Sequence, residues 1–584
     1  MPVICAIICS VLISVFIAWL LIMCYLCEVN LFAGPSAENI RYHQNEKISV
    51  LALLGMLFAS FSIVENSKSV DKKINKIYIY LYAIVIGLIY VHSFYTPNVY
   101  SSYFNTHHFN AYFNSVYSSY MSMPRTSLNT GVYVYYGFIL APIMKLLGGG
   151  INGFITIIQV LAFIVYMCIA YVIIEMVEKN VIKVLAISSL VVINCSLHTT
   201  IYLQLIPHRV LFGGIILAYL MLGIKGKALY NPLYICIGFM LMILSIIWNF
   251  ETGVVYSMSV IAFFIVLVMK KYKLNQKRLY YMIAVLLVAF ILVILAALGL
   301  TGLINVSMGG NMITFNEFIF PLMNESYFDY LKEDYQKGIV AWYFVIAFSL
   351  IFIGNALYNT CLNKRGSDSS WKDVYMCSVG IMTTGTMTYY INRPAYGNMD
   401  IVYFTSILMI AVFSDNCIKY MNSSRQFLSK MLYKSLASIS LSIIIAYTIA
   451  GIYNFSYMED FKKANGLIEK DEIADELEIF SEECPKNTKA MGYSVPMVYY
   501  DLGWDTGYYL IDFADLAVYP DSLKYIQTES DNMNSPFIIE PNALDNLSNN
   551  GVNLERFYSN MNLEKSYKVG QSELQYWVPV NEDY

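Results

Sequence analysis

Charge is what this sequence has least of. Only 13% of its 584 residues are Asp, Glu, Lys or Arg, 58% are hydrophobic, and the mean hydropathy is +0.54. An ordinary soluble chain carries about 25% charged residues, so a soluble globular protein is excluded. The 11 cysteines keep no regular spacing, and ten lie in or beside apolar segments. Neither a disulfide framework nor a metal-ligand set follows from them. Internal repeats and low-complexity tracts are missing, which removes solenoids and biased linkers. Basic surface is missing from the C-terminal part: Phe455 to Tyr584 holds 24 acidic and 9 basic side chains. Nucleic acid needs the opposite sign and is excluded as a partner.

What the chain does have is apolar runs of about 17 to 25 residues, the length that crosses a bilayer. They fall near 3–26, 48–64, 77–94, 151–175, 184–205, 209–224, 230–248, 252–269, 279–303, 339–358, 374–391, 400–420 and 435–454. The first has no basic n-region and no small-residue cleavage site, so it reads as a retained span. Segment 132–147 is ambiguous, being short and carrying Tyr133, Tyr135, Tyr136 and Pro142. Charge bias decides it. Three loops are basic: Lys68 to Lys76, Lys270 to Arg278, and Lys419 to Lys434. All three face the cytoplasm only if 132–147 lies flat in the interface, the depth that suits tyrosine.

The resulting fold class is an α-helical polytopic membrane protein with about thirteen transmembrane helices and a small C-terminal α/β lobe. The N-terminus is cytoplasmic, the lobe extracytoplasmic, and the setting a bacterial plasma membrane. Residues 1–454 form the transmembrane domain, with a large first outer loop at 95–150, and 455–584 form the outer part. Within the latter, 457–483 reads as an amphipathic helix with Leu467, Ile468, Ile473, Leu477 and Ile479 on its apolar side. Beyond it, strands are expected at 536–539 and 574–578, and helices around 541–549 and 553–561.

On this topology the polar residues between spans gather on the outer face. The stretch from His92 to Gly150 contains no Asp or Glu, a single arginine, Arg125, and the only adjacent histidine pair, His107 and His108. Imidazole titrates near neutral pH and is the commonest general base, so either histidine is a candidate proton acceptor. Each is also a candidate for a hydrated loop residue. Glu251, in W-N-F-E-T-G, interrupts an apolar run long enough for two spans. A carboxylate at bilayer depth costs about 2.5 to 3.5 kcal/mol, so it faces a cavity or sits in a solvated hairpin turn bent at Gly253. Arg209, in P-H-R, and Arg393, in N-R-P, occupy short turns between spans, and their guanidiniums match phosphate oxygens two at a time. Arg125 is a weaker candidate, and His208, Asn249 and Asn392 are polar neighbours in the same turns. Trp504, beside Asp505, Asp512 and Asp515, either stacks on a sugar or fills the core of the lobe.

Two segments carry a family resemblance. H-H-F-N-A-Y-F-N-S-V-Y lies in the first outer loop, and Y-Y-G-F-I-L-A-P-I-M-K-L-L-G precedes the next span. Together with the span order over 77–454, they resemble the GT-C superfamily of membrane glycosyltransferases. The resemblance implies a polyprenyl-phosphate-linked sugar donor, a glycan or glycolipid acceptor outside the cell, and Arg209 and Arg393 stabilising the phosphate that leaves. It also implies an acidic motif in the first loop, where this chain has none. His107, His108 or Glu251 then takes the base role, or the scaffold is inactive. No cofactor is specified; a divalent cation is compatible, but no ligand spacing marks its site. A transporter or flippase of a lipid-linked oligosaccharide is the rival of another class, and would show two matching halves with broken helices. A polysaccharide polymerase would share the first chemistry.

Overall fold

The computed structural model describes residues 75–93, 135–147, 151–190, 206–271, 277–323, 339–362, 371–392, 401–464, 473–486, 488–491, 535–549, 551–570 and 572–580, with isolated positions between 59 and 122 and between 498 and 527. The helical part runs α1 (Lys76–Ser93), α2 (Gly137–Leu146), α3 (Ile151–Met176), α4 (Asn180–Ser189), α5 (Leu211–Lys225), α6 (Pro232–Trp248), α7 (Phe250–Lys271), α8 (Lys277–Ser307), α9 (Phe315–Met323), α10 (Ile339–Leu357), α11 (Trp371–Asn392), α12 (Tyr403–Ser423) and α13 (Phe427–Ala464). Among the described residues, α3 from Gly153, α7, α8 and the first half of α13 are long and apolar enough to cross a membrane. Shorter apolar helices accompany them, among them α1, α5 and α6. The chain is a mostly helical, multi-pass membrane protein. The expected span 3–26 lies outside the described residues.

Segment 132–147 contains α2, ten residues with Pro142 inside. At 1.5 Å per residue such a helix is about 15 Å long, half of the ~30 Å hydrocarbon core, and too short to cross. Lipid offers no hydrophobic drive between helices, so close packing and interhelical hydrogen bonds hold them together. The Tyr375 hydroxyl of α11 donates to the Leu217 carbonyl of α5 at 2.8 Å, and the Ser378 hydroxyl to Ser259 of α7, also at 2.8 Å. Tyr219 of α5 and Tyr234 of α6 stack 4.2 Å apart, each hydroxyl donating to the other's carbonyl. Each ring lies over a glycine of the opposite helix, Gly238 and Gly223, where a side chain would collide with it. By contrast α8 exposes Val288, Ile291, Leu292 and Leu295, as a helix against lipid does.

Opposite charges gather at one end of the bundle. Glu175, at the end of α3, pairs with Lys76 and with Lys225 at 3.0 Å, and accepts from the Tyr80 hydroxyl at 2.9 Å. Glu178, in the next turn, pairs with Lys372 at 3.2 Å and Lys419 at 3.1 Å. Asp415 of α12 accepts the backbone N–H groups of Glu178 and Lys179, each at 2.9 Å.

The C-terminal part differs from expectation in detail. No helix begins near 457; α13 runs unbroken through the expected boundary at 454/455 to Ala464. Met458 to Ala464 are compatible with a helix and include no Gly or Pro, so a change of polarity there is no reason to stop. A separate α14 (Ala474–Glu483) follows, burying Leu477 and Phe480 together with Ile473 just before it. Ile479, expected on the apolar side, is exposed. Leu467 and Ile468 lie outside the described residues.

The lobe carries β1 (Lys489–Met491), β2 (Phe537–Ile539), α15 (Pro541–Asn549), α16 (Glu555–Asn560), β3 (Met561–Val569) and β4 (Ser572–Pro579), in a sheet of order β1-β2-β4-β3. Strand β1 pairs parallel to β2, and the other pairings are antiparallel. Strands β2 and β4 match the expected segments; β1 and β3 do not appear in the sequence pattern. Strand β3 lies at the edge and exposes most of its residues, so it lacks a clean alternation. The tight β3–β4 turn places Gly570 at φ 62°, the left-handed region that suits glycine.

Candidate active site

The site begins at the break between α6 and α7. Asn249 takes an extended backbone (φ -153°, ψ 114°) and separates two helices that would otherwise be one. Its side-chain oxygen accepts from the Thr252 backbone N–H at 2.9 Å and from the Thr252 hydroxyl at 2.8 Å. It thereby caps α7. Gly253 lets the chain fold back so tightly. A Cβ there would lie 2.5 Å from the Ser245 carbonyl carbon and 2.6 Å from Ile246 Cα. Glu251 lands in the first turn of α7, where the helix dipole favours a carboxylate. The turn is thus a tight hairpin, and its carboxylate also has a partner.

That partner is Arg209, in the turn just before α5, whose guanidinium donates to Glu251 Oε2. The guanidinium carbon also lies 3.8 Å from the centre of the Tyr389 ring, a cation–π contact from α11. The Arg209 carbonyl accepts from the Tyr256 hydroxyl of α7. Two separated helices, α7 and α11, meet on this one residue. Leaving such a guanidinium buried with no counter-charge would cost several kcal/mol, and Glu251 supplies that charge.

His208 is enclosed by rings. It stacks on Trp248 with centroids 5.4 Å apart and meets the edge of Tyr136 at 4.8 Å. Its Nε2 lies 3.4 Å from the Asn249 amide nitrogen, and its carbonyl accepts from the Trp248 indole N–H at 2.6 Å. Burial, and after it the charge of Arg209, push this imidazole well below its ordinary range, so it is neutral. Tyr136, which opens α2, also packs on Trp248, at 5.4 Å. The short helix and the charged pair therefore share one end of the bundle.

Beside them lies a small cavity of about 20 Å³, lined by Val210, Gly213, Tyr256, Thr386, Phe404 and their neighbours, room for about one water. The hydroxyls of Tyr256, Thr386 and Thr405 in its wall are bonded to backbone carbonyls of Arg209, Met382 and Val402. Its wall is therefore mixed, with apolar side chains beside hydroxyls already engaged by the backbone.

The structure thus brings Arg209, Glu251, His208 and Asn249 together. Asn392 is the last residue of α11, one turn beyond Tyr389. Trp504 is elsewhere. It is buried in the lobe between Phe480 (5.6 Å) and Tyr499 (5.2 Å), and its carbonyl accepts from the Tyr117 hydroxyl at 3.5 Å. That packing gives the ring a core role and leaves no face for a sugar. His107, His108, Arg125 and Arg393 lie outside the described residues. Among the described residues, no three His, Cys, Asp or Glu side chains converge as metal ligands would. Sequence reasoning missed Tyr389 and Tyr256. Each sits inside a predicted span, and nothing local distinguishes it from a lipid-facing tyrosine.

No family model matches the chain, and no curated protein matches it. Among solved structures it is similar to the crystal structure of ArnT from Cupriavidus metallidurans bound to undecaprenyl phosphate. The identity is 11%, the match covers 86% of this chain and 98% of that one, and the TM-score is 0.43.

Proposed function

We propose that the chain is a membrane glycosyltransferase that moves a sugar from a polyprenyl-phosphate carrier to a glycan or glycolipid acceptor outside the cell. One observation carries the reading. Glu251 is the partly open member of a buried charged cluster at the bundle end where the short helix α2 docks. Transfer of a sugar to a hydroxyl at the membrane surface needs a proton acceptor that is held in place yet open to the acceptor. The Glu251 end then faces outward. The opposite end, with Lys76, Lys225, Lys372 and Lys419, faces the cytoplasm, in keeping with the positive-inside rule.

In the reaction the acceptor hydroxyl gives its proton to Glu251 while its oxygen bonds to the anomeric carbon of the sugar. The bond from that carbon to the phosphate oxygen breaks, and its electron pair leaves with polyprenyl phosphate. Attack from the opposite side inverts the anomeric centre. Arg209 and Arg393 are the candidates for stabilising the leaving phosphate, where charge develops, and Arg125 is a weaker one. His107 and His108 are the alternative candidates for the proton acceptor. The outer lobe holds the acceptor glycan.

The test is purified protein in liposomes, given a polyprenyl-phosphate sugar and candidate acceptors. Release of polyprenyl phosphate is the expected result, with Glu251→Gln lowering kcat by about 10²-fold or more, as loss of a general base does. Full turnover in Glu251→Gln would move the base role to His107 or His108. Passage of the lipid across the bilayer without release would replace the transferase with a flippase.

A further inference from the structure

The ion pair of Arg209 and Glu251 is lopsided, and the asymmetry bears on what the arginine does. The Arg209 side chain is 1% exposed, whereas that of Glu251 is 23% exposed. One face of the guanidinium is covered by Tyr389, one of its nitrogens engages Glu251 Oε2, and the backbone carbonyl of the same residue is held by Tyr256. A phosphate reaching this guanidinium would have to enter a space from which water is already excluded, and would stand against the like charge of Glu251. The carboxylate is placed differently: among the described residues Oε1 of Glu251 accepts no hydrogen bond, and the group is the open member of the pair.

We propose that Arg209 is a positioning residue for Glu251 and not a ligand for the donor's phosphate, with Tyr389 clamping its guanidinium so that Oε2 is fixed and Oε1 is left for the acceptor hydroxyl. The inference rests on the transferase reading in which Glu251 accepts the proton. The residue types fit this division of labour. A planar guanidinium can lie flat on a ring and donate in its own plane at the same time, whereas the compact ammonium of lysine cannot reproduce both contacts. The three groups come from the turn before α5, from α7 and from α11, so the orientation of the base depends on how those helices pack.

The test compares Arg209→Lys, Tyr389→Leu, Tyr389→Phe and wild type in purified, liposome-reconstituted protein. Two readouts are taken. In turnover with a polyprenyl-phosphate sugar, Arg209→Lys and Tyr389→Leu should lower kcat by about 10 to 10²-fold, the scale of a misplaced catalytic group. KM for the donor should hold within about twofold, and Tyr389→Phe, which keeps the ring face, should restore wild-type kcat. Raised donor KM with unchanged kcat in Arg209→Lys would overturn the proposal in favour of a phosphate ligand.

The second readout needs no substrate. An ion-paired carboxylate reacts slowly with a hydrophobic carbodiimide, and labelling of Glu251 is read by peptide mass spectrometry. Arg209→Lys and Tyr389→Leu should speed it several-fold, and Tyr389→Phe should not. Unchanged labelling in Tyr389→Leu overturns the clamp, while accelerated labelling supports it even if no transferase activity is found. If Tyr389→Leu fails to fold, Tyr389→Met serves in its place, with faster labelling expected because the thioether offers no ring face to the cation, and unchanged labelling overturns the clamp.

Discussion

Gly253→Ala is the most discriminating single change, because its effect follows from three backbone atoms. The added Cβ would lie 2.5 Å from the Ser245 carbonyl carbon and 2.6 Å from Ile246 Cα, and closer still to the Ser245 oxygen. Carbon atoms rest about 3.5 to 4.0 Å apart at their optimum, so the backbones of α6 and α7 must part by about an ångström. No side-chain rotation can relieve the contact. Forced overpacking of this kind costs about 1 to 3 kcal/mol, read as a lower unfolding temperature in detergent. The displacement falls two residues from Glu251, and a shift of about 1 Å in a reacting group can cost about 10²-fold in rate. Gly299→Ala on α8 is the control, since nothing lies within 4 Å of its added carbon. It should be neutral or slightly stabilising, by up to about 1 kcal/mol from helix propensity. If Gly253→Ala melts and turns over like wild type, the close α6–α7 approach is wrong, and so is the placement of Glu251 derived from it.

Further outcomes follow from other contacts. Gly238→Ala drives a carbon to 2.7 Å from the Tyr219 hydroxyl oxygen and should cost about 1 to 3 kcal/mol of stability. The double variant with Tyr219→Phe removes that oxygen and should lose less than the two single losses combined, measured by thermal unfolding. Burial alone would raise the Glu178 carboxyl, but hydrogen bonds from Lys419 and Lys372 outweigh it and hold it below its ordinary value. A folded value below the unfolded one contributes stability at neutral pH, present above the unfolded pKa of about 4.3, and this contribution disappears as pH falls through the folded value. Unfolding temperatures taken between pH 7 and pH 3 should therefore converge for wild type and Glu178→Gln at the acid end, and a constant gap would refute the pairing. Burial raises the Cys484 thiol to about 12, so maleimide at pH 8 should leave it unmodified until the protein is unfolded; rapid labelling of folded protein would contradict its place in the lobe core.

Much of the fold was legible along the chain because hydropathy is a local sum. Apolar runs of span length, and the turns between them, place α3, α6 and α7 within about two residues of their observed ends. The tyrosine- and proline-bearing stretch at 132–147 announced a segment too short to cross, and α2 is one. Strands β2 and β4 were legible from short aliphatic and aromatic runs, whereas edge strand β3, mostly exposed, was not. The boundary expected at 454/455 shows a limit of the same reasoning. A change in composition marks a change of solvent, and a helix such as α13 can pass from one to the other without ending.

The candidate site divides along the same line. Composition and spacing alone determined that Glu251 and Arg209 stand out, since charge in an apolar chain has to be justified wherever it occurs. Their pairing across 42 residues, and the Tyr389 ring laid over the guanidinium, were decided only by the packing of α5, α7 and α11. The reason is physical. Sequence records how costly each side chain is in lipid, but the groups that offset that cost come from whichever helix ends meet in space. The same distinction settles Trp504, whose composition suited a sugar platform and whose neighbours, Phe480 and Tyr499, make it core.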